Sequence, residues 1–171
     1  LCLKSDPSGR PFLDDPAGIL PFVSLAHSRG WIACAASAIG PLGIDIEVPR
    51  PGRNIAGIAA AAFGPLEAER AITGGEPGFY RIWTLREAIG KATCLGLRLA
   101  TDGVDRVNVG PDEGPWQMAS GQANWFLCHR ILDGPIHLSI SVLLPAASTE
   151  VAIELWHPNL AKDETIPALW P

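Results

Sequence analysis

The stretch Leu42-Gly43-Ile44-Asp45-Ile46-Glu47-Val48 sets two carboxylates inside an otherwise apolar run. Its alternating Ile and Val residues predict a strand, and on a strand residues two apart share a face. Asp45 and Glu47 therefore project together, while Ile44, Ile46 and Val48 turn the other way into a core. Two like charges on one face repel, and burying either is costly unless it is paired or bound to a metal.

Upstream, Phe22–Ser28 is predicted to be a strand, Arg29-Gly30 a hairpin turn and Trp31–Ala36 the returning strand. Residues 5–21 are turn-rich and are expected to form a loop with short extended pieces. Downstream, Pro49, Pro51 and Gly52 end the carboxylate strand. An Ala-rich helix is predicted over Ile55–Phe63, and Pro65 suits the first turn of a second helix through Thr73. Gly74-Gly75 stops it. A longer helix is predicted from about Gly78 to Leu95, with Ile82, Leu85, Ile89 and Ala92 at helical spacing and Gly96 as its terminator. Strands are predicted at Val104–Val109, Trp116–Met118, Asn124–Leu132 and His137–Leu144, the last two joined by a turn at Asp133-Gly134. The Pro-rich tail from His157 is expected to be irregular. Strands, a helical block and more strands predict an α+β fold, an antiparallel sheet packed on a long helix. The whole of 1–171 is expected to be one domain: a loop-rich lead-in over 1–21, a core over 22–145 and an irregular tail over 157–171.

The 171 residues are 47% hydrophobic, with a formal net charge of −5. The mean hydropathy is +0.19 and the pI about 5.3. This is a globular composition, and its acidity counts against a nucleic-acid partner. The longest apolar stretches, such as Gly30–Leu42, are too short and too interrupted by Gly and Pro to span a membrane. No signal-peptide pattern stands out. Cys2, Cys34, Cys94 and Cys128 are scattered, with no C-x-x-C, and are expected to be mostly reduced, buried thiols of a cytoplasmic protein.

Alone, D-x-E is a solvated acidic face. A third carboxylate changes that. In Trp83-Thr-Leu-Arg-Glu-Ala-Ile-Gly-Lys91, Glu87 and Lys91 lie four apart on one helix face with Trp83. Glu87–Lys91 could be a surface ion pair, and Thr84-x-x-Glu87 could be a capping box, unless the helix begins earlier. Three carboxylates and a lysine also suit Mg²⁺ holding a pyrophosphate, with the lysine on a phosphate.

G-I-D-I-E at 43–47, followed by W-T-L-R-E-A-I-G-K-A at 83–92, resembles the paired signature of 4′-phosphopantetheinyl transferases, closest to the surfactin-synthetase-activating (Sfp-like) type. Val23-Ser-Leu-Ala-His-Ser28 resembles that family's S-H-S segment, and Gly9-Arg-Pro-Phe12 its G-K-P segment. The four segments stand in family order and cover about residues 9–145. The resemblance implies transfer of the phosphopantetheine arm of coenzyme A to a serine of an apo acyl or peptidyl carrier protein, releasing adenosine 3′,5′-bisphosphate. By position, Asp45, Glu47 and Glu87 would hold Mg²⁺ and Lys91 would contact a phosphate. Glu87 would also be the general base, directly or through a water. Arg10 and His27 would bind the 3′-phosphate of coenzyme A.

Arg86 stands where the family has lysine, and Ala26 where many members have serine. Sfp-like enzymes are two similar halves. With G-R-P at residue 9, this chain is expected to hold one full half and part of another, as a fragment or as a homo-oligomer whose second copy supplies the missing wall. An acidic carrier would need a local basic patch, for which Arg70, Arg81, Arg86, Lys91 and Arg98 are candidates against an ordinary solvated helix face. Two rival readings compete. A metal-dependent nuclease could use the same carboxylates, but the net charge counts against it. A non-catalytic truncated homologue could bind coenzyme A or a carrier protein, but such a binder has no need of Asp45, Glu47, Glu87 and Lys91 together.

Overall fold

The computed structural model describes residues 2–7, 9–14, 21–96, 116–117, 124–132, 134–145, 151–154 and 165–168. Strands β1 (Cys2–Ser5) and β2 (Pro11–Asp14) pair as a small antiparallel ribbon. The lead-in is thus partly strand, and between its two strands the Gly9 N–H donates to the Asp6 carbonyl at 2.9 Å. Strands β3 (Phe22–Ser28) and β4 (Trp31–Ser37) form a hairpin around Arg29-Gly30, both at positive φ. Strand β5 (Leu42–Glu47) then enters a sheet with β6 (Trp116–Gln117), β7 (Asn124–Leu132) and β8 (Ile136–Leu144), ordered β5-β8-β7-β6 and antiparallel throughout. The predicted strand at 104–109 lies outside the described residues. Strands β9 (Val151–Glu154) and β10 (Thr165–Ala168) pair antiparallel. The tail is therefore not wholly irregular. Pro167 is tolerated because a two-stranded ribbon is all edge.

Helices α1 (Ile55–Ala62), α2 (Pro65–Thr73) and α3 (Gly75–Thr93) fill the middle. Asn54 caps α1, its side-chain oxygen accepting the Gly57 N–H at 3.0 Å. Pro65 opens α2. Helix α3 begins three residues before the expected Gly78, because Glu76 suits a first turn and Pro77 needs no intrahelical donor there. Thr84 is thus well inside the helix, which removes the capping-box reading. The left-handed residue that ends α3 is Cys94, at φ 60, in place of the expected Gly96.

The two faces of the main sheet differ. Leu42, Ile44 and Ile46 of β5, with Leu138, Ile140 and Val142 of β8 and Phe126 and Cys128 of β7, form an apolar core that the hairpin covers with Ala26, Ala33 and Ala35. The opposite face carries, in register, Gly43 beside Ser141, Asp45 beside Ser139 and Glu47 beside His137. Helix α3 lies on that face. Tyr80 stacks on His137 with centroids 5.4 Å apart. Thr84 Oγ1 donates to the Tyr80 carbonyl at 2.8 Å and lies 2.7 Å from Ser139 Oγ. A Cβ on Gly43 would sit 1.8 Å from the Ala88 carbonyl oxygen, so only glycine admits the helix at this distance. Phe79, Tyr80 and Ile82 close a second core with Ala59, Phe63 and Ala71 of the shorter helices. Two hydroxyls tie the hairpin to β5: Ser24 Oγ accepts the Ile44 N–H at 3.1 Å, and Ser28 Oγ the Val48 N–H at 3.2 Å. Among the described residues, no helix is long and apolar enough to cross a membrane. Cys2, Cys34 and Cys94 are exposed and only Cys128 is buried, against the expectation of buried thiols, because Cys34 and Cys2 sit on exposed strand faces and Cys94 at a helix end.

Candidate functional site

The site begins with strand alternation. β5 buries isoleucines on one side, which forces Asp45 and Glu47 onto the face under α3. The helix brings Glu87 and Lys91 one turn apart to the same place. Lys91 Nζ donates to Asp45 Oδ1 at 2.7 Å and to the Ile44 carbonyl at 3.0 Å. Lys91 thus locks helix to strand, and the surface Glu87–Lys91 pair gives way to a half-buried Lys91–Asp45 contact.

Asp45 is 7% exposed, and its Oδ2 is buried with no hydrogen-bond partner. Burial pushes its pKa up to about 6; the Lys91 charge and hydrogen bond pull it down, and Glu87 and Glu47 push it up further. The burial cost outweighs the ion pair. Glu87 is raised too, first by burial and then by Glu47, against the pull of Lys91. The three carboxylates therefore feel one another, although among the described residues no three such side chains stand close enough to hold one metal ion as they are. Their donor chemistry fits a hard cation: all are oxygens, and Asp45 Oδ2 is a buried acceptor with nothing to accept.

Glu47 is held from two sides. Ser28 Oγ donates to its Oε2 at 2.9 Å, and Arg53 Nη1 lies 3.8 Å from its Oε1. Ser28 lies in the quoted S-L-A-H-S segment, but only the fold shows its target. Arg53 carried no signal, because R-P-G-R reads as a strand terminator. His137 and Ser139 were legible as the polar half of the alternation in His137-Leu-Ser-Ile-Ser-Val142.

Arg10 and His27 are not brought together. Arg10 packs its guanidinium over Phe22 at 5.4 Å, and its backbone N–H donates to Asp6. His27 is exposed, five residues farther along β3, roughly 16 Å at strand rise. It projects opposite to Ser28, away from Glu47. Arg86 is 3% exposed and paired with Glu67 of α2, its Nε donating to Oε2 at 2.6 Å. It drops out of the expected basic patch, because it lies between two packed helices. Lys91 drops out as well, spent on Asp45. Arg98 lies outside the described residues.

A family model of the 4′-phosphopantetheinyl transferase superfamily matches residues 41–140, more than half of the chain. The chain is 34% identical over 96 residues to the 4′-phosphopantetheinyl transferase HetI of Nostoc sp., covering 52% of this chain and 40% of that one. It is 33% identical over 99 residues to a 4′-phosphopantetheinyl transferase of Bacillus subtilis, covering 55% and 42%. It is 41% identical over 80 residues to AcpT of Salmonella typhi, covering 44% and 41%. The chain thus spans about two fifths of the length of these relatives. With the strand, the helix and the acidic face between them all inside the matched segment, the chain belongs to the 4′-phosphopantetheinyl transferase superfamily.

Proposed function

We propose that this chain carries the catalytic face of an enzyme that moves phosphopantetheine from coenzyme A to a serine of an apo acyl or peptidyl carrier protein. The observation that supports this most is Asp45: a buried carboxylate tied to Lys91 on one oxygen and unpartnered on the other, beside Glu47 and Glu87. In the reaction the serine oxygen bonds to the phosphorus bearing the pantetheine arm. The bond from that phosphorus to the bridging oxygen breaks, and adenosine 3′,5′-bisphosphate leaves with the bridging oxygen. The serine proton is lost to a base or to water. Such a transfer depends on positioning and charge neutralisation more than on covalent catalysis.

Asp45, Glu47 and Glu87 would hold Mg²⁺, which supplies neutralisation of the diphosphate charge. Lys91 would shift an N–H from Asp45 to a phosphate oxygen while keeping its bond to the Ile44 carbonyl. Glu87, with its pKa raised, is the chain's own candidate to take the serine proton, directly or through a water. For the 3′-phosphate the proposal is Arg10 or His27, not both at once, because Arg10 packs on Phe22 and His27 stands five residues farther along β3.

The test is the intact mass of an apo carrier protein after incubation with this chain, coenzyme A and Mg²⁺, beside Asp45→Ala. A gain of one phosphopantetheine that is lost in Asp45→Ala supports the proposal. Coenzyme A binding with no mass gain would leave a binding homologue in its place.

A further inference from the structure

Arg53 lies in the loop between β5 and α1, and the mechanism above makes no use of it. Its guanidinium carbon stands 4.8 Å from the Trp83 ring centroid, 5.2 Å from Phe79 and 5.4 Å from Tyr80. Aromatic faces hold a guanidinium through charge–quadrupole attraction and consume none of its N–H donors. Those rings belong to α3, and Trp83 is one turn before Glu87. Arg53 Nη1 is buried without a hydrogen-bond partner, and its ion-pair neighbour is Glu47 Oε1 at 3.8 Å. That distance is too long for a hydrogen bond and short enough for a strong charge interaction. Each carboxylate of the strand thus has its own internal cation: Lys91 for Asp45 and Arg53 for Glu47.

We propose that Arg53 is a positioning residue, a built-in counter-ion that keeps Glu47 in place in the metal-free site and competes with the divalent cation that Glu47 would hold. The inference rests on the Mg²⁺ reading of the three carboxylates. Two fixed cations beside three carboxylates leave little net charge to attract a further cation. A diphosphate gives the unpartnered Nη1 of Arg53 a second acceptor while the rings keep its guanidinium carbon in place. Once Arg53 turns to the diphosphate, Glu47 is released to the metal. Metal and co-substrate therefore bind cooperatively, and the coupling is reciprocal.

The experiment uses Arg53→Met, which sets an unbranched apolar side chain against the rings and removes the charge, and Arg53→Lys, which keeps the charge. Mg²⁺ alone is titrated by calorimetry and by thermal unfolding, then again with coenzyme A present. Mg²⁺ alone is expected to bind Arg53→Met about fivefold tighter than the native chain, within the usual range of such couplings. The drop in its unfolding temperature without metal is recovered in saturating Mg²⁺. Coenzyme A tightens Mg²⁺ binding in all three chains, because its diphosphate supplies oxygens to the metal, but by less in Arg53→Met than in the native chain and Arg53→Lys.

A packing role alone would lower the unfolding temperature equally with and without Mg²⁺ and leave the affinity unchanged. Weaker Mg²⁺ binding in Arg53→Met would make Arg53 a support for the metal. Either result overturns the inference. Should Arg53→Met not fold, the double variant Arg53→Met, Glu47→Gln must fold in its place, and its failure overturns the inference as well. A native chain that binds no Mg²⁺, with or without coenzyme A, would instead remove the metal reading itself.

Discussion

Replacing Gly43 by Ala tests how closely the helix must approach the strand. The added Cβ would lie 1.8 Å from the Ala88 carbonyl oxygen, 2.8 Å from its carbon and 2.9 Å from the Ala92 nitrogen. Ordinary contact begins at 3.4 Å, so α3 must retreat by about 1.6 Å (3.4 − 1.8). The Lys91–Asp45 bond of 2.7 Å then opens toward about 4.3 Å (2.7 + 1.6) if the helix moves straight back, beyond hydrogen-bond range. Overpacking of this kind costs ~1–3 kcal/mol, and here backbone meets backbone, so no rotamer change relieves it. A loss of about 2 kcal/mol lowers the unfolding temperature by roughly 4–8 °C in a chain of this size. Thermal unfolding by circular dichroism reads the stability, and the carrier-protein mass assay reads the transfer, which should fall at least tenfold. Ala88→Gly in the same chain should not restore either, because the clash is with the carbonyl and not the methyl. Gly43→Ala with native stability and transfer, or rescue by Ala88→Gly, would refute the reasoning.

Two further outcomes follow from buried charge. Glu67→Ala leaves the 3%-exposed Arg86 without its partner, and should cost ~3–5 kcal/mol in urea unfolding; Glu67→Leu with Arg86→Met should regain most of that, and a single variant costing under about 1 kcal/mol would contradict the assignment. His129, 3.1 Å from His137, has its pKa pulled down to about 3, first by burial and then by the charges of His137, Arg81 and Arg130. The unfolded chain therefore takes that proton first, and the stability it contributes is present above about pH 6.5 and lost toward pH 3, by at most ~1.4 kcal/mol per pH unit. Asp45, raised to about 6, acts in the opposite sense between pH 6 and 3.8. His129→Gln isolates the histidine: the stability gap between native and variant chains should narrow from pH 7.5 to 5.5 in metal-free buffer, and a gap independent of pH would contradict it.

The carboxylate strand was legible because Ile44, Ile46 and Val48 alternate with Asp45 and Glu47, a period that a half-buried strand imposes. The helix bearing Glu87 and Lys91 was legible for the same kind of reason. Its start was not, since Gly74-Gly75 reads as a stop and Pro77 as a barrier, whereas a first turn accepts both. Pairings across distant segments left no local trace. Arg86 looked like a surface charge because nothing near it in sequence reveals Glu67 of the neighbouring helix. For Lys91 the sequence offers Glu87, four residues away, or a phosphate, and the Asp45 oxygen that takes it is supplied by the fold. The strand in the tail was hidden by its Pro167, which disfavours a ladder but not an edge.

Ser28 does two things at once. Its oxygen occupies the Val48 N–H just past the end of β5, as Ser24 does for Ile44 within it, while its proton fixes Glu47. An open strand edge is a template for another chain's strand, and apolar β5 would be a hazardous one. The hydroxyls satisfy those amides with side chains that cannot propagate a ladder. Among the described residues β5 is an outer strand, and the carboxylates can thus sit on it without its recruiting neighbours into an aggregate.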